Sequence, residues 1–168
     1  MSQGPGGGGR QQLQQLAETI QALDQERQAL ESEIEGLRNQ QGAIDEAVRG
    51  IETLEDGSIV QVPLGGGAYV RAEVQDIDEI VVDLGGDYAA EREQAGAIES
   101  LEAKRDRLGD RIAEVEAEVE EIEEESSELE QRAQQAQQQM QQQQMQGMGG
   151  LSEQLGGSDK GQGDESDE

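Results

Sequence analysis

The sequence predicts an α+β protein in which two long helices form an antiparallel coiled coil and two β-hairpins lie between them. Residues 10–56 and 91–146 repeat apolar side chains at alternating spacings of three and four, which is typical of coiled-coil helices. Residues 57–90 repeat them with a period of two, which is typical of strands. Because the two helical segments have similar lengths, we expect them to fold back on each other around the strand-rich insert.

The insert, residues 57–90, is the only part of the chain that reads as β-structure. Most of its apolar residues fall on even numbers, whereas polar residues such as Gln61 and Arg71 fall on odd numbers. This alternation indicates strands with one buried face. The glycines at 65–67 and at 85–86 suit hairpin turns. We therefore predict two successive hairpins.

The even-numbered face of the insert requires a cover. Isolated hairpins are marginally stable in water, and the apolar positions of the two helices are already committed to each other. We therefore expect the same insert in other chains to cover this face, which makes the protein an oligomer. The predicted assembly residues are Val60, Val62, Leu64, Val70, Val74, Ile80, Val82 and Leu84.

The first helix is predicted over residues 10–56, after a glycine-rich lead at residues 1–9 that we expect to be disordered. Its inward-facing heptad positions, which we call its seam, are apolar except for Arg27 and Gln41. The first seam is Leu13, Leu16, Ile20, Leu23, Arg27, Leu30, Ile34, Leu37, Gln41, Ile44, Val48 and Ile51.

The second helix is predicted over residues 91–146, followed by a disordered acidic tail at residues 147–168. In an antiparallel pair, Gln41 falls within about one turn of Arg105, so that polar seam residues meet and fix the register. The alternative is that a long coil simply tolerates polar residues. The second seam is Ile98, Leu101, Arg105, Leu108, Ile112, Val115, Val119, Ile122, Ser126, Leu129, Ala133, Ala136 and Met140.

The chain is strongly acidic, with 39 Asp and Glu against 12 Lys and Arg and a formal charge of -27. Such a field repels nucleic acid, so no nucleic-acid partner is expected. It suits a cytosol kept at high salt, where self-repulsion is screened, and we predict a halophilic source. The alternative is that the acidic residues are merely the solvated faces of the two helices.

The residues used most often in catalysis are missing. The chain has no His and no Cys, so the usual general bases, thiol nucleophiles and nitrogen or sulfur metal ligands are absent. The acidic residues near the strands lack the spacing of a calcium loop, and no Lys-Ser or Lys-Thr pair follows Gly67 as a phosphate-binding loop requires. We predict no enzyme activity and no catalytic, cofactor or metal site.

The N-terminus lacks the apolar run of a signal peptide, and no window approaches the length of a membrane span. The sequence therefore predicts a cytoplasmic protein with no membrane partner.

Between the two helical segments stands Val62-Pro63-Leu64-Gly65-Gly66-Gly67-Ala68-Tyr69-Val70, followed by Ile80-Val81-Val82. With these motifs, residues 10–145 resemble the α class of archaeal prefoldins, which carries two hairpins where the β class carries one. The resemblance implies an ATP-independent chaperone in which two α and four β subunits join their hairpins into a β-barrel platform. It also implies coiled-coil tips that hold non-native proteins and pass them to a group II chaperonin.

The resemblance and the weakening of the seam after Glu130 together predict a holdase subunit that captures clients at its tips. The alternative function is a structural tether with an oligomerising β-hub, in which the same residues are ordinary end-of-coil positions. The predicted client-binding residues are Leu13, Leu16, Ile20, Ala136, Met140, Met145 and Met148.

Overall fold

The computed structural model describes residues 7–155, with side chains as far as Leu151. Along the chain, two long helices flank four strands. The elements are α1 (Gly7–Thr53), β1 (Ile59–Gly65), β2 (Ala68–Glu73), β3 (Ile80–Gly85), β4 (Tyr88–Arg92) and α2 (Gln94–Leu155). The strands form two separate antiparallel hairpins, β1–β2 and β3–β4. The predicted fold class, two long helices with two hairpins between them, is confirmed.

Both helices extend into segments for which the sequence predicted disorder. Helix α1 begins at Gly7 and not at Arg10, and α2 continues past residue 146 to Leu155. Glycine costs a helix about 1 kcal/mol relative to Ala, whereas Gln, Met and Leu favour it, and no proline interrupts either stretch. The rest of the predicted lead and tail, residues 1–6 and 156–168, lies outside the described residues.

The two hairpins share one turn design. In the first, Gly66 and Gly67 have φ of 60° and 82°, and in the second, Gly86 and Asp87 have φ of 64° and 60°. Positive φ at both central residues matches the right-handed twist of the paired strands. The register shifts by one residue just before each turn, between Pro63 and Gly65 and between Asp83 and Gly85. The second hairpin thus has Asp87, and not a glycine, at the second central position of its turn.

The described chain divides into two compact units, each treated by itself. The central unit, Arg27–Glu120, contains both hairpins and a helix-pair core in which Ile34, Ile112 and Val115 are buried. Gln41 Nε2 donates a hydrogen bond to the Arg105 carbonyl oxygen at 3.1 Å. The predicted proximity of these two polar seam residues is therefore confirmed.

Three ion pairs join the helices of the central unit. Their N–O distances are 2.6 Å for Arg38–Glu116, 3.0 Å for Arg105–Asp45 and 2.9 Å for Arg111–Glu33. The hydrogen bond to Asp45 raises the pKa of Arg105, and the hydrogen bond to Glu33 does the same for Arg111. Being exposed, such pairs contribute more to register than to stability.

The terminal unit consists of the helix segments that flank the central unit, up to residue 26 and from residue 121. Its seam residues are only half-buried, and none of its described side chains is fully buried. Among residues 7–155, neither helix is long and apolar enough to cross a membrane.

Candidate functional site

The first hairpin exposes an apolar face. Val60 lies opposite Ala72 and Val62 opposite Val70, so the even-numbered residues do share one side of this sheet. Val62, Val70 and Leu64 are 41%, 46% and 67% exposed. Nothing within the described residues covers these side chains fully, so the face is available for contact with another chain.

The second hairpin differs, because its even-numbered face turns inward. Val82, opposite Ala90, is only 4% exposed, and Ile80 and Leu84 are half-buried. On the same strand, the Asp83 carbonyl oxygen accepts a hydrogen bond from Lys104 Nζ of α2 at 3.2 Å. Strand β3 therefore lies against the first turns of α2.

The Asp83 side chain contacts both the turn of its own hairpin and α2. Its Oδ1 accepts a hydrogen bond from the Gly85 N–H at 2.8 Å, and its Oδ2 lies 3.6 Å from Lys104 Nζ. The Gly85 N–H, and after it the charge of Lys104, lowers the pKa of the Asp83 carboxyl. Asp83 is thus an exposed carboxylate with a partner in its own turn and another in α2.

Hydrogen bonds tie the segments that adjoin the hairpins to the helix ends. The Gly57 N–H donates to the Val74 carbonyl at 2.7 Å, and the Ile77 N–H donates to Asp56 Oδ1 at 2.8 Å. Gln94, the first residue of α2, donates from Nε2 to the carbonyls of Ile51 and Leu54. The insert is thus held where α1 ends and α2 begins.

The eight predicted assembly residues are therefore unequally exposed in the single chain. Val60, Val62, Leu64 and Val70 belong to the first hairpin, and only the last three of these are exposed. Val74 follows β2 and is half-buried. Ile80, Val82 and Leu84 face the interior of the same subunit. The first hairpin thus has an exposed apolar face and the second a covered one, and the role of the eight residues in assembly stays a prediction.

Sequence reasoning missed the two tyrosines. Tyr69 and Tyr88, the chain's two aromatic residues, are 63% and 64% exposed, and each stands beside a hairpin turn. Tyr69 lies opposite Pro63 on the odd-numbered face of the first hairpin. Aromatic residues are enriched at protein interfaces. The signal was available, since a chain with two aromatic residues places both of them next to its glycine turns.

A second exposed region is the tip, defined here as residues 7–17 of α1 and 133–151 of α2. Its helices bound an open cleft of about 920 Å³, lined by Gly7, Gly9, Arg10, Gln12, Ala136, Gln139, Met140, Gln143 and Gln144. A Cβ atom at Gly9 would lie 3.2 Å from the sulfur of Met140, so glycine there allows the close approach of α2.

The predicted client-binding residues separate into two groups. Leu13, Leu16, Ile20, Ala136 and Met140 are half-buried in the terminal unit, and only the last two line the cleft. Met145 and Met148 are 76% and 77% exposed, on the part of α2 that follows the cleft residues. Within residues 7–155, no group of three or more acidic side chains is arranged to hold a metal ion.

Comparison with known proteins agrees with these features. The family model "Prefoldin subunit" matches residues 11–146. The chain belongs to the prefoldin family. It is 61% identical over 110 residues to prefoldin subunit alpha of Halorubrum lacusprofundi, covering 66% of this chain and 72% of that protein. It is 56% identical over 107 residues to prefoldin subunit alpha of Haloarcula marismortui, covering 64% and 70%.

Among solved structures, the chain resembles filamentous PFD from Methanocaldococcus jannaschii, determined by cryo-EM, with a TM-score of 0.59. The two share 25% identity over 67% of this chain and 96% of that one. The resemblance to the prefoldin α class is thus confirmed, and several of the α subunits that it matches, at 55–61% identity, come from halophilic archaea. Prefoldins are chaperones, and this chain is consistent with a chaperone subunit.

Proposed function

We propose that this chain is the α subunit of a cytoplasmic, ATP-independent holdase. Two copies assemble with four prefoldin β subunits into a hexamer, which captures non-native proteins and delivers them to a group II chaperonin. The observation that carries the proposal is the pairing of two exposed apolar regions on one chain, the first hairpin face and the tip. Such a chain assembles through one region and binds clients through the other.

The assembly function rests on the first hairpin. Val62, Val70 and Leu64 stay exposed on a two-stranded sheet, and such a small sheet is stable only when another element packs on its apolar face. Strands from neighbouring subunits supply that packing in the proposed hexamer. Tyr69 and Tyr88 add aromatic surface beside the turns.

The client-binding function rests on the tip. Met145 and Met148 are unbranched, flexible and exposed, which suits a surface that must fit many sequences. At about 25 cal/mol per Å² of buried apolar surface, one tip binds weakly once ordering costs are subtracted. Several tips around one client gain affinity through effective concentration, so capture stays reversible without ATP.

The test is aggregation of a denatured model protein in molar salt with the assembled complex. Met145→Gln/Met148→Gln, which keeps helix propensity and removes apolar surface, should markedly reduce suppression of aggregation. A matched control, Gln142→Ala/Gln146→Ala, changes the same stretch of helix without removing methionine. Size-exclusion chromatography should show full-size complexes for both variants.

Two results would count against the proposal. Failure of the unmodified complex to slow aggregation would favour the tether function instead. Undiminished suppression by the methionine variant at unchanged complex size would place client binding away from this stretch. The variant Leu13→Ser/Leu16→Ser, measured in the same aggregation assay, then shows whether the half-buried part of the tip binds clients.

A further inference from the structure

The tip is free of acidic residues in a strongly acidic chain, in which residues 57–72, across the first hairpin, are the other long stretch without them. None of the 39 Asp and Glu falls within residues 7–17 or 133–152. Shortly before the second of these stretches, residues 114–130 contain ten Glu and no basic residue, and Gln131 and Arg132 lie between the two. The single charged side chain of the tip is Arg10, which lines the cleft.

Helix packing alone does not require this change of composition. In a coiled coil the exposed positions are ordinarily charged, as they are along residues 114–130. At the tip the exposed positions are glutamines instead, and Gln139, Gln143 and Gln144 face the cleft beside Met140. The surface offered there is made of neutral amides, thioethers and one guanidinium.

We propose that the tip is adapted to bind acidic non-native polypeptides. The charge of this chain indicates a high-salt cytosol, and proteins of such a cytosol are expected to be acidic as well. This inference rests on the proposed client-binding function and adds the chemical class of the client. An acidic client approaching residues 114–130 meets like charges. At the tip it meets no carboxylate and one cation.

Salt in the medium does not make this arrangement unnecessary. At about 1 M salt the Debye length is roughly 3 Å, so charges that are apart in solvent no longer repel. Two carboxylates in contact are separated by about one Debye length, so salt screens their repulsion only in part. They also lose hydration water, and salt does not remove this desolvation cost. A binding surface for acidic clients therefore benefits from having no carboxylate, even where long-range repulsion is already screened.

The C-terminal segment after the tip is acidic, with five Asp or Glu and one Lys in residues 156–168. Its sequence begins with a Gly-Gly pair. A variant that ends at Leu155 removes this acidic segment and leaves the tip unchanged. We expect this variant to bind acidic clients at least as well as the full chain does.

The test uses the assembled complex in molar salt and two forms of one unfolded model protein. One form keeps its carboxylates, and in the other they are converted chemically to neutral amides. Gln139→Glu/Gln143→Glu places two carboxylates on the cleft. We expect it to weaken capture of the acidic form about tenfold, as contact-range repulsion would, with a much smaller effect on the amidated form.

The matched control is Gln21→Glu/Gln25→Glu, the same pair of changes four residues apart on an exposed face of α1 that is already acidic. It should not discriminate between the two client forms. Circular dichroism checks that both variants keep their helix content, since like charges four residues apart weaken a helix slightly.

Equal loss of both client forms, or no loss of either, would overturn the inference while leaving the proposed function standing. A change in complex size in the Glu variant would also overturn it, because the tip would then contact a second copy of this chain. Failure of the unmodified complex to capture either form would instead remove the proposed function itself.

Discussion

The first and second hairpins share a turn and a register but differ in what lies against their even-numbered faces. Val70 of the first is 46% exposed, whereas Val82 of the second is 4% exposed, and Lys104 of α2 contacts the strand that carries it. An apolar face with a period of two can therefore serve either the fold of the subunit or its assembly. Whether such a face packs within the subunit or is left exposed for assembly depends on whether a helix of the same chain lies against it.

The largest expected effect is on the covered face. Val82→Asp would bury an unpaired carboxylate, and we expect it to lower the free energy of unfolding by roughly 3 to 5 kcal/mol. Thermal unfolding followed by circular dichroism measures this. Val81→Asp is the matched control, since Val81 is 68% exposed on the other side of the same strand. Equal stability of the two variants would mean that the second hairpin is not packed as described.

The exposed face should respond differently. Val70→Asp leaves the new charge in water in the isolated subunit, so its free energy of unfolding should change by less than about 0.5 kcal/mol. In the proposed complex the same charge would be buried, and we expect complexes to dissociate into smaller species on size-exclusion chromatography. Gln61→Asp, on the opposite face of the same sheet, is the control. Complexes of full size with Val70→Asp would exclude this face from assembly.

A smaller effect concerns the link between the second hairpin and α2. Because the folded state lowers the pKa of Asp83, its carboxylate stabilises the fold above the ordinary carboxyl pKa. That contribution is lost as the pH falls through the lowered value. Asp83→Asn keeps the acceptor for the Gly85 N–H and removes the charge. Its melting temperature should fall less steeply below about pH 4 than that of the unmodified chain, and parallel pH profiles would contradict this.

The helix pair and the hairpins were predictable because their patterns are local. Every predicted seam position of both helices is buried or half-buried, since a heptad repeat determines one face of a helix. The parity of Val62 and Val70 likewise places them on one side of their sheet. The proximity of Gln41 to Arg105 followed from an antiparallel pairing of two heptad segments of similar predicted length.

What could not be predicted depends on geometry beyond the repeat. The parity of Val82 shows which face it occupies but not that α2 lies beside that strand. The helix ends were misplaced because glycines at 7–9 and 147–150 lower helix propensity without preventing a helix. At the tip, the sequence identified Met140 as a seam residue, whereas the cleft that it lines with Arg10 appears only when the two helices are paired.

The most direct test of the distinction between the hairpins uses the absence of cysteine from the chain. Val70→Cys and Val82→Cys each introduce a single thiol, whose reaction rate with a thiol reagent is measured in the isolated subunit and in the complex with β subunits. Val70→Cys should react quickly in the subunit and slowly in the complex, and Val82→Cys slowly in both. A Val82→Cys thiol that reacts quickly in the subunit and is protected only on assembly would contradict the assignment of the second hairpin to the subunit's own interior.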